Sequence, residues 1–268
     1  MRITDRPSPN FDERGGRGIE LLILHYTGMP SGEIALRRLC DPAPRAGAYA
    51  FPWEEPADPD KLLGRVSAHY VVEEDGTILR LVDEEKRAWH AGLGAWAGHT
   101  DLNHRSIGIE IVNGGHDFGL PDYPYEQIEA VTDLVADIVR RHGLKPHQVV
   151  GHSDVAPLRK ADPGEKFPWR HLAFHRLALW PADDLPVAGG EPLERGDRGE
   201  EISALQKTMN EIGYVLDVDG IFGPATEAAV KAAQRRFRAA RIDGIADGET
   251  LAIVADIARQ TAFLQVGA

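Results

Sequence analysis

One stretch constrains this chain more than any other. Pro181-Ala-Asp-Asp-Leu-Pro186-Val-Ala-Gly-Gly-Glu-Pro192 holds three prolines and two glycines in twelve residues. Proline removes a backbone donor and glycine disfavours regular structure, so neither a helix nor a central strand can run through it. The 268 residues are therefore expected to fold as two regions, 1–182 and 193–268, joined by a linker at 183–192. The reactive side chains are divided unevenly between them. All 11 histidines and all 5 tryptophans lie at or before Trp180, which assigns metal or imidazole chemistry to the first region.

The first region alternates strand and helix signals. Leu21–Leu24 reads as a buried strand. Ala68–Val72 and Thr77–Val82, separated by a Glu74-Asp75-Gly76 turn, read as a β-hairpin. Ser106–Val112 alternates at period two. Between Tyr125 and Arg141 the apolar positions Ile128, Val131, Leu134, Val135, Ile138 and Val139 recur at helical spacing, and Gly143 supplies a stop. Val149-Val150 begins another strand. The pattern predicts an α/β region with a mixed central β-sheet flanked by helices. The segment Asp41–Asp60, with five prolines, is expected to be a surface insertion.

The second region reads as a small three-helix domain. Glu201–Ile212 is amphipathic, with Ile202, Leu205, Met209 and Ile212 on one face. Gly223-Pro224 opens a second helix, because proline suits the first helical position. Asp219–Val230 also aligns with Asp243–Val254, 24 residues on, with six of twelve positions identical. Two copies are too few for a solenoid and predict two similar loop-to-helix junctions.

Composition removes several classes of function. Lys plus Arg number 30 against 42 Asp plus Glu, a net charge of −12. Such a balance argues against nucleic acid as a partner and against docking on an anionic membrane. The one cysteine, Cys40, excludes an internal disulfide and a cysteine-rich zinc site, and reads as a small buried apolar residue. No stretch approaches the length of a membrane span. Residues 1–20 carry Arg2, Arg6, Arg14 and Arg17 but no apolar run of export length, so a cytoplasmic protein is expected.

Three groups of polar residues stand where the local pattern favours apolar ones. His25 follows the Leu21–Leu24 strand, His152 follows Val149-Val150-Gly151, and Asp162 lies ten residues beyond His152. Two imidazoles and a carboxylate suit a catalytic zinc with an open fourth position, although a single histidine of this kind is more often a satisfied core residue. Glu110 interrupts the apolar strand and reads either as a solvent-facing edge residue or as a general base acting on an attacking water. Lys160, two residues before Asp162, reads either as a surface lysine or as a stabiliser of a developing oxyanion.

Seven ordered motifs carry a family resemblance: His25-Tyr26-Thr27, Ser67-Ala68-His69-Tyr70, Ala88-Trp89-His90-Ala91-Gly92, Asn103, Ser106–Glu110, Gly151-His152-Ser153-Asp154 with Pro157, and Arg159-Lys160 with Asp162-Pro163-Gly164 and Phe167-Pro168-Trp169. The chain resembles the AmpD-type zinc N-acetylmuramoyl-L-alanine amidases across roughly residues 18–181. The resemblance implies one zinc held by His25, His152 and Asp162, catalysis by Glu110 and Lys160, and cleavage of the amide joining the lactyl group of N-acetylmuramic acid to L-alanine. The implied partners are peptidoglycan or soluble muropeptides. Trp89, His90, Ala91, Trp96 and Asn103 are candidate substrate contacts. Asn103-His104 and Asp101 depart from the family's usual residues near the Ser106 strand, so its peptide selectivity is not carried over.

The second region is similar to the three-helix peptidoglycan-binding module, through Leu193–Gly199, Leu205-Gln206, Gly213-Tyr214, Asp219–Gly223, Thr226, Ala229-Val230 and Phe237. Its usual Phe-Gln pair is displaced, with Gln234 preceding Phe237. A wall-binding module points toward the periplasm or cell wall rather than the cytoplasm. Two further readings stay open at this level: a non-catalytic binder on the same fold, and a zinc peptidase cutting another stem-peptide bond. His69 reads as structural. His99, His104, His116, His142, His147, His171 and His175 read as surface or capping residues.

Overall fold

A computed structural model describes residues 2–49, 58–187 and 189–266. In chain order its strands and helices are β1 (Ile3–Asp5), β2 (Phe11–Glu13), β3 (Leu21–Tyr26), α1 (Gly32–Cys40), β4 (Tyr70–Val72), β5 (Ile78–Arg80), β6 (Lys86–Ala88), α2 (Leu102–Arg105), β7 (Ser106–Ile111), α3 (Tyr125–His142), β8 (Val149–Gly151), α4 (His152–Val155), α5 (Trp169–Phe174), α6 (Glu200–Ile212), α7 (Pro224–Phe237) and α8 (Gly248–Val266). Contacts group the chain into two compact units, Met1–Gly92 with Asn103–Leu134 and Leu93–Leu102 with Val135–Ala268. Of the expected insertion Asp41–Asp60, residues 50–57 lie outside the described residues.

In the first unit five strands share a sheet in the order β1-β5-β4-β7-β3. β3 and β4 both run parallel to β7, β1 runs parallel to β5, and β4 and β5 form the expected antiparallel hairpin. The sheet is therefore mixed, and α3 spans the region where helical spacing predicts it. One face of its centre is apolar throughout: Leu22, Leu24, Ile107, Ile109 and Ile111 have no exposed surface. Each such side chain contributes roughly 1.5–3 kcal/mol on burial. Strands β1, β2 and β6 escape sequence reading because each has three residues and a polar composition typical of an edge. Leu39, Val71, Leu81, Val82, Ala88 and Val112 form a second apolar cluster against which Cys40 packs. Burial raises the Cys40 thiol above its ordinary pKa, so it is held protonated.

The second unit contains β8, α4, α5 and the helices α6, α7 and α8. The internal sequence echo has a structural cause. The Gln206 amide donates to Asp219 Oδ1 at 2.8 Å, to the Ile221 carbonyl at 3.1 Å and to Thr226 Oγ1 at 3.2 Å, and its Oε1 accepts the Gly220 N–H at 3.0 Å. Gln234 repeats the set with Asp243 Oδ1 at 3.0 Å, the Ile245 carbonyl at 2.9 Å, Thr250 Oγ1 at 3.3 Å and the Gly244 N–H at 2.8 Å. One glutamine therefore ties down each Asp-Gly-Ile loop and the helix that follows it. Both amides are about 1% exposed, and without them the buried Gly220 and Gly244 N–H groups would lose their acceptors, leaving an unpaired buried donor in each loop.

Candidate active site

Four of the 11 histidines are buried: His25, His69, His90 and His152. The seven assigned to the surface or to caps are all partly or fully exposed.

In the first unit the site is built on one face of β7. Side chains on a strand alternate, so Ser106, Gly108 and Glu110 share a face. On the neighbouring parallel strand β3, His25 is the register partner of Glu110, which brings these two side chains to the same side of the sheet. The His90 ring lies across that face. Its Nδ1 is 3.0 Å from His25 Nε2 and its Nε2 is 3.2 Å from Ser106 Oγ. Gly108 makes this possible: a Cβ there would lie 2.4 Å from His90 Cγ, closer than any real contact. The Ser-x-Gly-x-Glu alternation therefore supplies an anchor, a space and a carboxylate in successive positions.

The residues around His90 are fixed from both directions. Asn103 Oδ1 accepts the backbone N–H groups of His90 at 3.1 Å and Ala91 at 2.8 Å, so its side chain shapes this segment. His69 packs edge-on to His90 with ring centroids 5.6 Å apart and accepts the Gly108 N–H on Nδ1 at 3.0 Å. Complete burial, reinforced by the charge of Arg14, depresses the His69 pKa to about 3, so it is neutral and structural, as read from the sequence. Arg14 was missed. Its 4% exposed side chain donates to the carbonyls of Glu84, Asn103, His104, Ser106 and Lys86. It thereby ties together the segments bearing Asn103 and Ser106. Trp89 is partly buried beneath the Arg65 guanidinium, 4.9 Å from its ring centre.

In the second unit His152 opens α4 at the end of β8, and its Nδ1 lies 2.9 Å from Asp162 Oδ2. Both side chains are buried. The Ser153 N–H donates to the Asp162 carbonyl at 2.8 Å, so backbone and side chain together hold the Asp162 loop against the turn. Arg159 Nη2 lies 3.3 Å from His152 Nε2 and donates to the Leu93 carbonyl. Lys160 follows in the same loop and is partly buried. The Trp96 ring is 3% exposed and meets Tyr214 edge-on at 5.1 Å, a packing position rather than an open stacking surface.

One ligand atom from each of His25, His152 and Asp162 falls within 4.8 Å of the others, and all three residues are buried. A tetrahedral zinc holds nitrogen and carboxylate oxygen at about 2.0–2.2 Å, which sets ligand atoms about 3.3–3.6 Å apart, so the cluster would close by roughly 1–1.5 Å around an ion. Two imidazoles and a carboxylate are also the donor types a zinc site uses. The residues therefore fit a metal.

The comparisons with known proteins agree over both halves of the chain. Residues 15–165 match the N-acetylmuramoyl-L-alanine amidase family model, and residues 198–254 match a peptidoglycan binding domain. The N-acetylmuramoyl-L-alanine amidase AmiD of Escherichia coli is 38% identical over 205 residues, covering 70% of this chain and 72% of that protein. Its solved complex with the substrate anhydro-N-acetylmuramic acid-L-Ala-D-γ-Glu-L-Lys superposes with a TM-score of 0.73 at 31% identity, over 95% of this chain and 93% of the other. AmpDh3 of Pseudomonas aeruginosa, solved with an anhydromuramic pentapeptide, gives 0.71 at 29% identity over 95% of both chains. The mixed sheet with flanking helices, the buried donor cluster and these likenesses lead to one assignment: the chain belongs to the N-acetylmuramoyl-L-alanine amidase family.

Proposed function

We propose that this protein hydrolyses the amide between the lactyl group of N-acetylmuramic acid and L-alanine in muropeptides, as a zinc enzyme with His25, His152 and Asp162 as ligands. The observation that carries the reading is the convergence of those three buried donors. Two similar amidases are solved with anhydromuramyl peptides, which supports the same substrate class here. A zinc ion at these residues supplies Lewis-acid polarisation of the amide carbonyl and makes water a competent nucleophile near neutral pH.

The chain's own residues do the rest. The Glu110 carboxylate takes the proton of the attacking water and returns it to the alanine nitrogen as the C–N bond breaks. One water is consumed, giving a lactyl carboxylate and a free amino terminus. The Lys160 ammonium offsets negative charge that develops on the carbonyl oxygen. His90 orients His25: with His25 Nε2 bonded to His90, Nδ1 would be the nitrogen left to hold a metal, the usual division of labour for a ligating imidazole. Trp89 and Ala91 border this segment as substrate contacts. Residues 1–182 form the catalytic region and 193–268 the wall-binding module, joined by 183–192. The substrate class is peptidoglycan fragments or murein, and the compartment proposed is the cytoplasm, with the periplasm or cell wall as the alternative. Among the described residues no helix is long and apolar enough to cross a membrane.

The test uses purified full-length protein, zinc analysis and a soluble anhydromuramyl tripeptide. The expected products by mass spectrometry are free tripeptide beginning with L-alanine and the intact sugar acid, with about one zinc per chain. Shortened stem peptides, or an intact substrate with zinc bound, would overturn the reading. Detection of the protein in the envelope fraction of cells would overturn the compartment alone.

A further inference from the structure

Asp154 lies two residues beyond His152 on the single turn of α4 and is 1% exposed. Its Oδ2 accepts the Gly151 N–H at 2.8 Å and Arg236 Nη1 at 2.7 Å, and its Oδ1 accepts the Tyr214 hydroxyl at 3.0 Å. Arg236 also donates through Nη2 to the Val149 carbonyl at 2.9 Å. Its guanidinium is 4% exposed and stacks 4.3 Å from the Trp169 ring centre. Arg236 sits in α7 and Tyr214 follows α6, so both belong to the peptidoglycan-binding-like module. Together they grip the β8–α4 turn on either side of His152: Val149 before it, Asp154 after it.

A buried ion pair is poor evidence of added stability, because desolvating two charges offsets most of their attraction. What a planar guanidinium with two directed donors does supply is orientation. Here the oriented backbone is the one that presents His152 to Asp162.

We propose that Arg236 is a positioning residue for the metal centre, acting through Asp154 and the Val149 carbonyl to hold His152 against Asp162. The helical module then supports the metal-ligand turn in addition to any contact it makes with murein. The inference rests on the reading of His152 and Asp162 as zinc ligands.

The test uses the full-length chain, a soluble anhydromuramyl tripeptide and zinc competition against a chelator. The charge-neutral double variant Asp154→Asn/Arg236→Leu leaves no unpaired buried charge. It is expected to fold, bind zinc at least about 10-fold more weakly, and lose about 10-fold in kcat with KM within about twofold, the scale seen when support of a metal ligand is removed. Arg236→Lys keeps the charge but not both directed bonds, and is expected to fall between that variant and wild type; it decides the matter if the double variant fails to fold. Wild-type zinc affinity and kcat in folded variants overturn the proposal. A wild-type protein that binds no zinc overturns the metal reading beneath it.

Discussion

His25 and Glu110 are register partners across the parallel strands β3 and β7. A residue spacing of 85 in the chain thus becomes a pair of adjacent side chains on one face of a sheet. A one-residue slip in either strand would turn one of them to the opposite face. The strand pairing that positions the His25 imidazole positions the carboxylate beside it.

The first prediction separates the two roles. Glu110→Gln keeps shape and hydrogen bonding but removes the base. It should lower kcat by about 10²–10⁴-fold while zinc content stays at the wild-type level. Near wild-type turnover by a zinc-loaded Glu110→Gln enzyme would sink the assignment.

Metal removal gives the second. Dialysis against a strong chelator should abolish hydrolysis of the anhydromuramyl tripeptide, and added zinc should restore it. Asp162→Ala should lose zinc and activity together and should not recover on zinc addition at equimolar concentration. Activity that survives complete demetallation, checked by elemental analysis, contradicts the zinc reading.

Gly108→Ala tests the space beneath His90. On propensity alone, alanine inside a strand should stabilise by about 0.5–1 kcal/mol. The new Cβ would instead sit 2.4 Å from His90 Cγ and drive that ring away from His25. Zinc affinity is expected to fall about 10–100-fold, read by chelator competition. A stabilised variant with wild-type zinc affinity would show that His90 does not orient the ligand.

His69 sets an acid limit on stability. Its pKa is held near 3 by burial, then by the Arg14 charge, against 6.5 for the unfolded residue. Between those values the unfolded chain binds a proton that the folded chain does not. Stability is therefore fully present above about pH 6.5 and is lost as pH falls toward 3. At pH 4.5 the loss is on the order of 2–3 kcal/mol. Urea unfolding at pH 8 and pH 4.5 should show a smaller acid loss in His69→Gln than in wild type. An identical pH dependence in the two proteins would exclude His69 as the source.

The two glutamine clamps predict matched effects. Gln206→Ala and Gln234→Ala each strand a buried Gly N–H, that of Gly220 or Gly244, at about 1–3 kcal/mol. Thermal or urea unfolding should give losses of similar size. If one clamp is silent and the other costly, the sequence echo does not reflect a shared structural role.

Much of this protein is legible in the chain itself. Hydrophobic period located β3, the β4–β5 hairpin, β7, α3, α6 and α7, because burial of an apolar face imposes a spacing that any reader of the chain can count. Polar residues set where that spacing wants apolar ones marked His25, Glu110 and His152, because an ionisable group next to a core needs a partner or a task. Ordered motifs supplied the family and the substrate class. The short strands β1, β2 and β6 were invisible, since three residues with a single apolar member carry no period.

Tertiary structure decided what each polar residue meets. Arg14 and Arg236 look ordinary as sequence, and Ser106, Gly108 and Asp154 enter only as members of motifs; only folding turns them into anchor, space and brace. Trp96 read as a packing aromatic ahead of a sugar-stacking one, and its burial against the ring of Tyr214 favours packing. Gln234 looked like a displaced motif residue and is instead the second loop clamp. The physical reason is common to all of them. Burial pattern is local and repeats along the chain, whereas the partner of a buried polar group depends on which distant segment arrives, and a single sequence does not state that distance.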